Sequence, residues 1–594
     1  MPLFVEELTK TVLESGLLTD AGDRYELAGP VPPLAIPATL HDSLMARLDR
    51  LAPVKEIAQL GAAIGREFSH ALLAAVAGRS ETELRAAVDQ LVSSALIFRR
   101  GIPPNAVYTF KHTMVQDVAY QSLLKSTRQQ LHARIARVLK ERFPQTVATQ
   151  PELLAQHCTA AGQHDQAIDY WHRAAQRASE RSAYLEAIAH LTRGLELART
   201  LPDPMQSVRH ELKLQIALGE PLVAARGYGA PEAGAAYTRA LELCRQVGET
   251  PDLFPAMWGL WYFYCGQGAC RTACDLGHEL LGLAEQQADP VLLVAAHQAL
   301  GQTLYRLGDF FAALTHLQQA RTDLDRRLDP SPHLRYAVAP GVQCRADSAQ
   351  LLWCLGYPDQ ALKLNHEAAR WAREVAHLHS LSYSMYFGIR LHLLRGETSE
   401  ADELAKAALS VSTRHGFTFW TAMVPFLQGW SLCLQGRGLE GVARMRTGFS
   451  DALATGATIM RPMFCALLGH AYGHVGQLDQ AWRMLADSLE AIEEGGQRYY
   501  EAETYRFLGQ LHLREANRDL EQAEACFQRA LDIARHQEAK SWELRAATGL
   551  ARLWREQGKR TEARDLLAPV YGWFTEGFDT ADLKEARALL DGLA

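Results

Sequence analysis

The chain has no surplus of basic charge. Its 61 Lys and Arg face 68 Asp and Glu, a formal net charge of -7 over 594 residues. A protein that coats nucleic acid without sequence preference needs a positive field, so that class loses support for the whole chain. Cysteine is scarce as well. The ten thiols lie singly within apolar segments such as Leu351–Gly356 and Pro462–Gly469, which excludes a disulfide framework and predicts reduced core thiols in a cytosolic setting. The apolar stretch Met257–Cys265 falls far short of the roughly 20 residues that span a bilayer, so no membrane insertion is expected. The opening residues MPLFVEELTKTVLES lack a basic region followed by an apolar run, so no signal peptide is read and the expected location is cytoplasmic. No G-x-x-x-x-G-K-[ST] occurs, and with it the phosphate cradle and its magnesium-binding hydroxyl are missing. The chain alone is therefore expected to have no catalytic residues and to require no cofactor.

What is present is a repeat. A turn glycine is followed five residues later by a small residue that opens a helix: Gly268/Ala273, Gly308/Ala313, Gly356/Ala361, Gly396/Ala401, Gly436/Gly441, Gly476/Ala481 and Gly558/Ala563. Ala523 keeps the phase without the glycine. The small residues are separated by 40, 48, 40, 40, 40, 42 and 40 positions. Glycine permits the turn conformation that ends one helix, and the small residue lets the next helix pack close against it. Leu317 and Ala320 follow Ala313, and Leu485 and Leu489 follow Ala481, as apolar stripes at helical spacing. One helix pair cannot hide both faces, so neighbouring pairs are expected to stack into a solenoid. The 48-residue interval coincides with the proline-containing segment Arg326–Gly341, read as an enlarged loop. Residues 161–198 repeat the pattern less regularly, and the last residues are expected to cap the array.

The segments Leu300–Ala320, Leu468–Leu489 and Leu550–Leu567 resemble the tetratricopeptide family, in its longer-helix form. The resemblance implies a scaffold for a protein or peptide on the solenoid surface.

The first 150 residues follow another pattern. Leu40, Leu44, Leu48 and Leu51 line one face of a helix, Ser80 and Glu83 are spaced as a capping box, and a proline-containing turn precedes an extended Tyr108–His112 segment. Short helices followed by a small hairpin predict a winged-helix-like module. The succession PLFVEELTKTVLES, IPATLHDSLMARLDRLAP, AAIGREF, YTFKHTMVQDVAYQSLL and RQQLHARIA resembles the lid and winged-helix portion of bacterial STAND-type signalling ATPases, those linked to an adenylate/guanylate cyclase domain and a repeat array. The expected fold is thus predominantly α. Residues 1–32 form a residual ATPase lid segment, 33–148 the helical and winged-helix-like module, and 149–594 the tetratricopeptide-like solenoid with its C-terminal cap. The resemblance places the ATPase and cyclase domains upstream of Met1, with ATP or ADP bound only in such a complete parent assembly.

Five groups of residues are candidates for function. The resemblance implies that His112, in YTFKH, senses nucleotide phosphates, whereas the residues alone also fit a packed histidine. Arg128, Arg134 and Arg137 lie on a basic helix that reads either as a nucleic-acid face or as an interdomain contact, with DNA disfavoured by the acidic total. Cys270, Cys274 and His278 share a helical face, but the familiar metal-knuckle spacing is missing and no metal is assigned. His470 and His474 have similar spacing and no acidic companion. Trp573, Phe574 and Phe578 read as an aromatic interface or as a surface covered by the cap. The preferred function is a non-catalytic interaction and regulatory scaffold, the sensor portion of a signalling ATPase or cyclase system. Two alternatives stay open: part of a nucleotide-dependent signalling enzyme with its catalytic domains upstream, and a DNA-binding regulator using the winged module.

Overall fold

The computed structural model describes residues 18–20, 25–27, 40–248, 250–325, 338–515 and 518–593. Most of the expected lid segment and residues 326–337 of the enlarged loop lie outside these.

Two compact units divide the chain: residues 1–174 with 196–201, and residues 175–195 with 202–594. The division falls after Ala174 rather than at 148, because Leu154, Ala155, Cys158, Ala167, Trp171 and Ala174 share one apolar core with the first module. In that unit a three-stranded antiparallel sheet has Val107–Phe110 at its centre, flanked by Glu67–Ser69 and Ile97–Arg100. Phe68, Tyr108 and Phe110 turn into the core. Ser80 and Glu83 form the capping box that starts Glu81–Ser93, each satisfying the other's exposed backbone donor. Lys125–Arg142 then packs against Pro151–Ala160, where buried His132 and His157 meet Nδ1 to Nδ1 at 2.9 Å.

The second unit is a solenoid of tetratricopeptide-like helix pairs. Pro290–Leu307 pairs with Phe310–Asp325, Pro340–Cys354 with Pro358–Glu374, Leu378–Arg395 with Thr398–His415, and so on to Lys540–Glu556 with Arg560–Gly572. Gly308 and Gly476 hold left-handed φ values of 89° and 80° at the turns, where a Cβ would be strained. Ala313, Ala361, Ala401, Ala481, Ala523 and Ala563 are all buried. In three of the pairs a glycine of the first helix receives the second: Gly301 lies against the Ala313 carbonyl, Gly469 against that of Ala481 and Gly509 against that of Ala523. The second helices are amphipathic. Thr398–His415 buries Ala401, Ala405, Ala408 and Ser412, one stripe at helical spacing. In Leu478–Gly495 the stripe passes through Ser488, which donates to the Pro462 carbonyl, and leaves Leu489 half-exposed.

The first helices differ from a striped surface helix. Pro340–Cys354 buries fourteen of its fifteen residues and Leu378–Arg395 sixteen of eighteen. The cause is that the solenoid coils onto itself. Gln267 donates to the Gly456 carbonyl, Thr458 to that of Gln267, and Ser541 to that of Trp353, pairs 189, 191 and 188 residues apart. That interval is just under five 40-residue units. The backbone N–H groups of Thr458 and Ile459 both donate to the Gly266 carbonyl, at 2.9 and 3.1 Å. Aromatic contacts keep the same register: Trp353 meets Trp542 at 4.7 Å, Tyr305 meets Tyr499 at 5.4 Å and Tyr228 meets Phe419 at 4.6 Å. Inner helices thus have neighbours on the outer helices, along the array and across the coil. At the far end Ala581–Asp591 tucks Leu583, Ala586 and Leu589 into the last apolar cluster.

The close approach of paired helices is open to a direct check. A Cβ at Gly429 would stand 2.7 Å from both the Gly441 carbonyl oxygen and the Met445 nitrogen. Alanine would gain about 1 kcal/mol in helix propensity, but overpacking against backbone costs about 1–3 kcal/mol. Gly429→Ala is therefore expected to lower the urea midpoint, as the second helix of the pair cannot retreat.

Candidate ligand groove

A cavity of about 400 Å³ opens among the inner helices of the C-terminal half of the coil. Coiling brings its walls together from helices far apart in sequence. Leu393 and Leu394 stand on one, Trp430 and Leu434 on the next, then His470, then Phe507. Arg545 and Arg552 complete it with Asp582 and Glu585 of the terminal helix. A larger hollow, of about 520 Å³, lies along Pro358–Glu374, but residues of that single helix line it and it encloses nothing.

The floor of the groove is an ionic chain. Glu503, 1% exposed, accepts from Arg506 Nε and Nη2 at 2.5 and 2.8 Å and from Arg545 Nη1 at 3.2 Å. Arg545 continues to Asp582 Oδ2 at 2.8 Å and to the Leu394 carbonyl at 3.0 Å. Its guanidinium lies over the rings of Trp353 and Trp542, at 4.9 and 5.3 Å. Burial alone would raise the Glu503 carboxyl, but Arg506 and Arg545 outweigh it and hold the group below the usual carboxylate range. Burial raises Asp582 despite Arg545. At the rim Arg552 pairs with Glu585.

One wall is aromatic. His470 stacks on Phe507 at 4.1 Å, Arg506 covers the Phe507 ring at 4.5 Å, and His470 meets His474 Nε2 to Nε2 at 3.0 Å. Burial, and then the charges of His474, Arg506 and Arg514, push the His470 pKa well below 6.5. The arrangement offers fixed donors, acceptors and ring faces, with no nucleophile beside a general base. It can hold a polar chain segment.

The other candidates are placed differently. His112 is the half-buried N-cap of Thr113–Gln121, its Nε2 without a partner. The basic helix is not a free stripe: the Arg128 guanidinium covers the Tyr120 ring at 5.3 Å, Arg134 folds against Gly78, and Arg137 is exposed. Two of its four arginines, Arg128 and Arg134, thus pack on their own module. The aromatic trio is no single interface, because Phe574 is 5% exposed, inside the terminal core. Trp573 packs on Tyr357 at 5.5 Å yet stays 37% exposed, and Phe578 is 50% exposed. Among the described residues no group of three or more His, Cys, Asp or Glu is placed to hold a metal. No helix among them is long and apolar enough to cross a membrane.

Sequence reasoning missed Glu503, Arg506, Arg545 and Asp582. A signal existed: Glu503 and Glu543, forty residues apart, share a phase on successive inner helices, and both are buried. Glu543 also has its own cations, Arg535 at 2.9 Å and Lys540 at 2.7 Å.

By its geometry the second unit belongs to the class of helical-repeat solenoids with tetratricopeptide-like units. No protein-family model matches the chain. It is 23% identical over 557 residues to an uncharacterized protein of Rhizobium meliloti strain 1021, covering 93% of this chain and 53% of that protein. The chain thus spans about half the length of this curated relative. A Rap protein solved with competence and sporulation factor is similar over 66% of this chain and 100% of its own, at 13% identity and TM-score 0.46. A signal transduction ATPase with numerous domains and a tetratricopeptide repeat sensor, from Pyrococcus horikoshii, covers 100% of this chain and 69% of its own, at 11% identity and TM-score 0.29.

Two measurements test the groove's electrostatics. Arg545→Met leaves Asp582 unpaired and Glu503 with one cation fewer, and it is expected to cost about 3 kcal/mol in a urea melt. Because the folded His470 pKa is depressed, the unfolded chain takes up the proton first. Stability is then full above pH 6.5 and falls as pH drops below it. His470→Phe is expected to flatten that slope in thermal melts between pH 7 and 5.

Proposed function

We propose that the chain is a non-catalytic protein-interaction and regulatory scaffold whose groove takes an extended segment of a partner polypeptide. The observation that carries this reading is the groove itself. Its charged floor offers donors and acceptors to backbone amides, and Trp430 and Phe507 offer apolar faces to side chains. The walls come from separate units, so an occupant bridging them would bias how the coil closes. Differential affinity for two arrangements is the physical source of such regulation.

We assign the scaffold, more narrowly, to the sensor or control portion of a signalling ATPase or cyclase system. The resemblance of the first 148 residues to the control module of STAND-type ATPases supports this, as does a relative about twice as long. On that reading the three-stranded sheet and its helices are a winged-helix-like control module, and ATP or ADP enters only with an upstream domain. His112 would then face the nucleotide. The ten free thiols fit a reducing, cytoplasmic compartment.

The test is a displayed peptide library panned against the purified chain, followed by affinity measurement. Arg552→Glu, at the exposed rim, is expected to weaken a selected peptide by roughly tenfold, about 1.4 kcal/mol, with the circular dichroism spectrum unchanged. Retention of no peptide, or binding indifferent to the rim charge, would count against the groove. The chain alone is expected to show no ATP turnover above background, and turnover would contradict the non-catalytic reading.

A further inference from the structure

Three pairs of histidines among the described residues meet nitrogen to nitrogen, and one of them is sealed in a core. In the first unit His132 of Lys125–Arg142 and His157 of Pro151–Ala160 are 6% and 3% exposed, with Nδ1 facing Nδ1 at 2.9 Å. His132 Nε2 meets the Tyr120 hydroxyl at 2.8 Å, and His157 Nε2 has no partner. Two ring nitrogens at that distance share one hydrogen: whichever ring donates, the other accepts. One extra proton can enter only at an outer Nε2, which leaves an imidazolium in the core. A second would set two N–H groups face to face.

The surroundings hold no anion to balance that charge. Among the described residues neither ring has a carboxylate within hydrogen-bonding reach, and the charge acting on His132 is the Arg128 guanidinium. The other cations of its helix are spent or wet: Arg134 folds against Gly78, and Lys125 and Arg137 are exposed. On the packed elements, Lys55 and Glu56 of Ala52–Ile64 pair with Asp49 and Arg79, and His70 of His70–Ala77 bonds Tyr108 and Glu81. Pro144–Thr149 has no ionisable side chain, and Asp117, Glu141, Asp165 and Asp169 are exposed. Glu152 stands five residues from His157 at the start of its helix, and the Cys158 thiol beside it is raised by burial, with Lys140 acting on it. His157 is pushed down to about 3 by burial and then by His132, and His132 is lowered by burial and then by Arg128. The pair His297/His316 is the contrast. It also meets Nδ1 to Nδ1 at 2.9 Å, but it is half-buried and has Asp323, Glu285 and Asp309 acting on it as anions.

We propose that the His132–His157 contact is a pH-sensitive joint: on acidification Lys125–Arg142 and Pro151–Ala160 part here, ahead of the rest of the first unit. Pro151–Ala160 leads into His164–Glu180, whose Trp171 donates to Thr159 Oγ1 at 3.1 Å. Opening thus separates the three-stranded module from the repeat-like helices that follow it within the unit. A histidine whose pKa is depressed in the closed state takes its proton first in the open one. The closed joint therefore has its full stability above pH 6.5. Opening grows as the pH falls below that value, by up to about tenfold per pH unit for each histidine, and for His157 it does so down to about 3.

Amide exchange of the full chain, corrected for the intrinsic rate at each pH, tests the joint. Between pH 7 and 5 protection over Pro151–Ala160 is expected to fall by about tenfold or more, while the central strand Val107–Phe110 keeps its own. The double variant His132→Phe/His157→Phe keeps two rings and removes both buried bases. Its protection over the same helix is expected not to change with pH. Should that variant not fold, His157→Phe alone is expected to show a shallower fall, since one titrating ring remains. Equal protection of Pro151–Ala160 at both pH values in the unmodified chain would overturn the joint. The same loss in the variants, or a loss shared equally by Val107–Phe110, would overturn it too.

Discussion

The contact between successive turns of the coil is the constraint on which the rest of the second unit depends. Where Thr458 and Ile459 donate to the Gly266 carbonyl, and Ser541 to that of Trp353, the array stops being a ladder of nearest neighbours. An open repeat array adds one interface per unit. Here each inner helix also acquires partners about five units away, so its inward face leaves water. The paired aromatics Trp353/Trp542 and Tyr305/Tyr499 are the apolar part of the same contact.

Closing the coil has a polar consequence. Residues that would sit wet on an open concave surface become core: Asp347, Arg390, Glu503 and Arg306 are at most 3% exposed. A buried charge is tolerable only when paired or hydrogen-bonded. In the C-terminal half that demand is met by Arg506 and Arg545 around Glu503, and the resulting chain of ions is also the floor of the groove. In the N-terminal half neutral side chains meet it: Asp347 accepts from the Tyr383 hydroxyl and Gln302 Nε2, and Arg390 donates to the Tyr305 hydroxyl. The two halves thus answer one physical problem, the C-terminal one with internal ion pairs and the N-terminal one with hydrogen bonds from neutral side chains.

The helix pairs were legible because their determinants are local. A turn glycine and a small residue five positions on recur every 40 residues, and both act within one pair. The glycine on the facing helix, as at Gly429, Gly469, Gly509 and Gly549, recurs at the same period and was equally readable, although only the structure shows what it receives. Coiling was not legible, since contacts across 188–191 residues leave no periodic trace within a window. Hence the near-complete burial of inner helices such as Pro340–Cys354 and Leu378–Arg395 had no local signal, and for Phe574 the sequence left an interface and a place beneath the cap as alternatives, of which the structure shows the second. The groove was hidden for the same reason: its walls adjoin only once the coil has closed. Arg128 and Arg134 looked like a charged face because sequence cannot tell a solvated arginine from one lying on Tyr120 or folded against Gly78.

Amide hydrogen exchange at Thr458 and Ile459 tests coil closure most directly. Both residues lie in the connection between Gly438–Ala454 and Arg461–His474, and their only backbone acceptor is the Gly266 carbonyl from the preceding turn. Turn-to-turn contact predicts that these two amides exchange as slowly as those in the middle of Leu378–Arg395. Exchange at the rate of an exposed loop, with the inner helices still protected, would show the coil standing open and contradict the account.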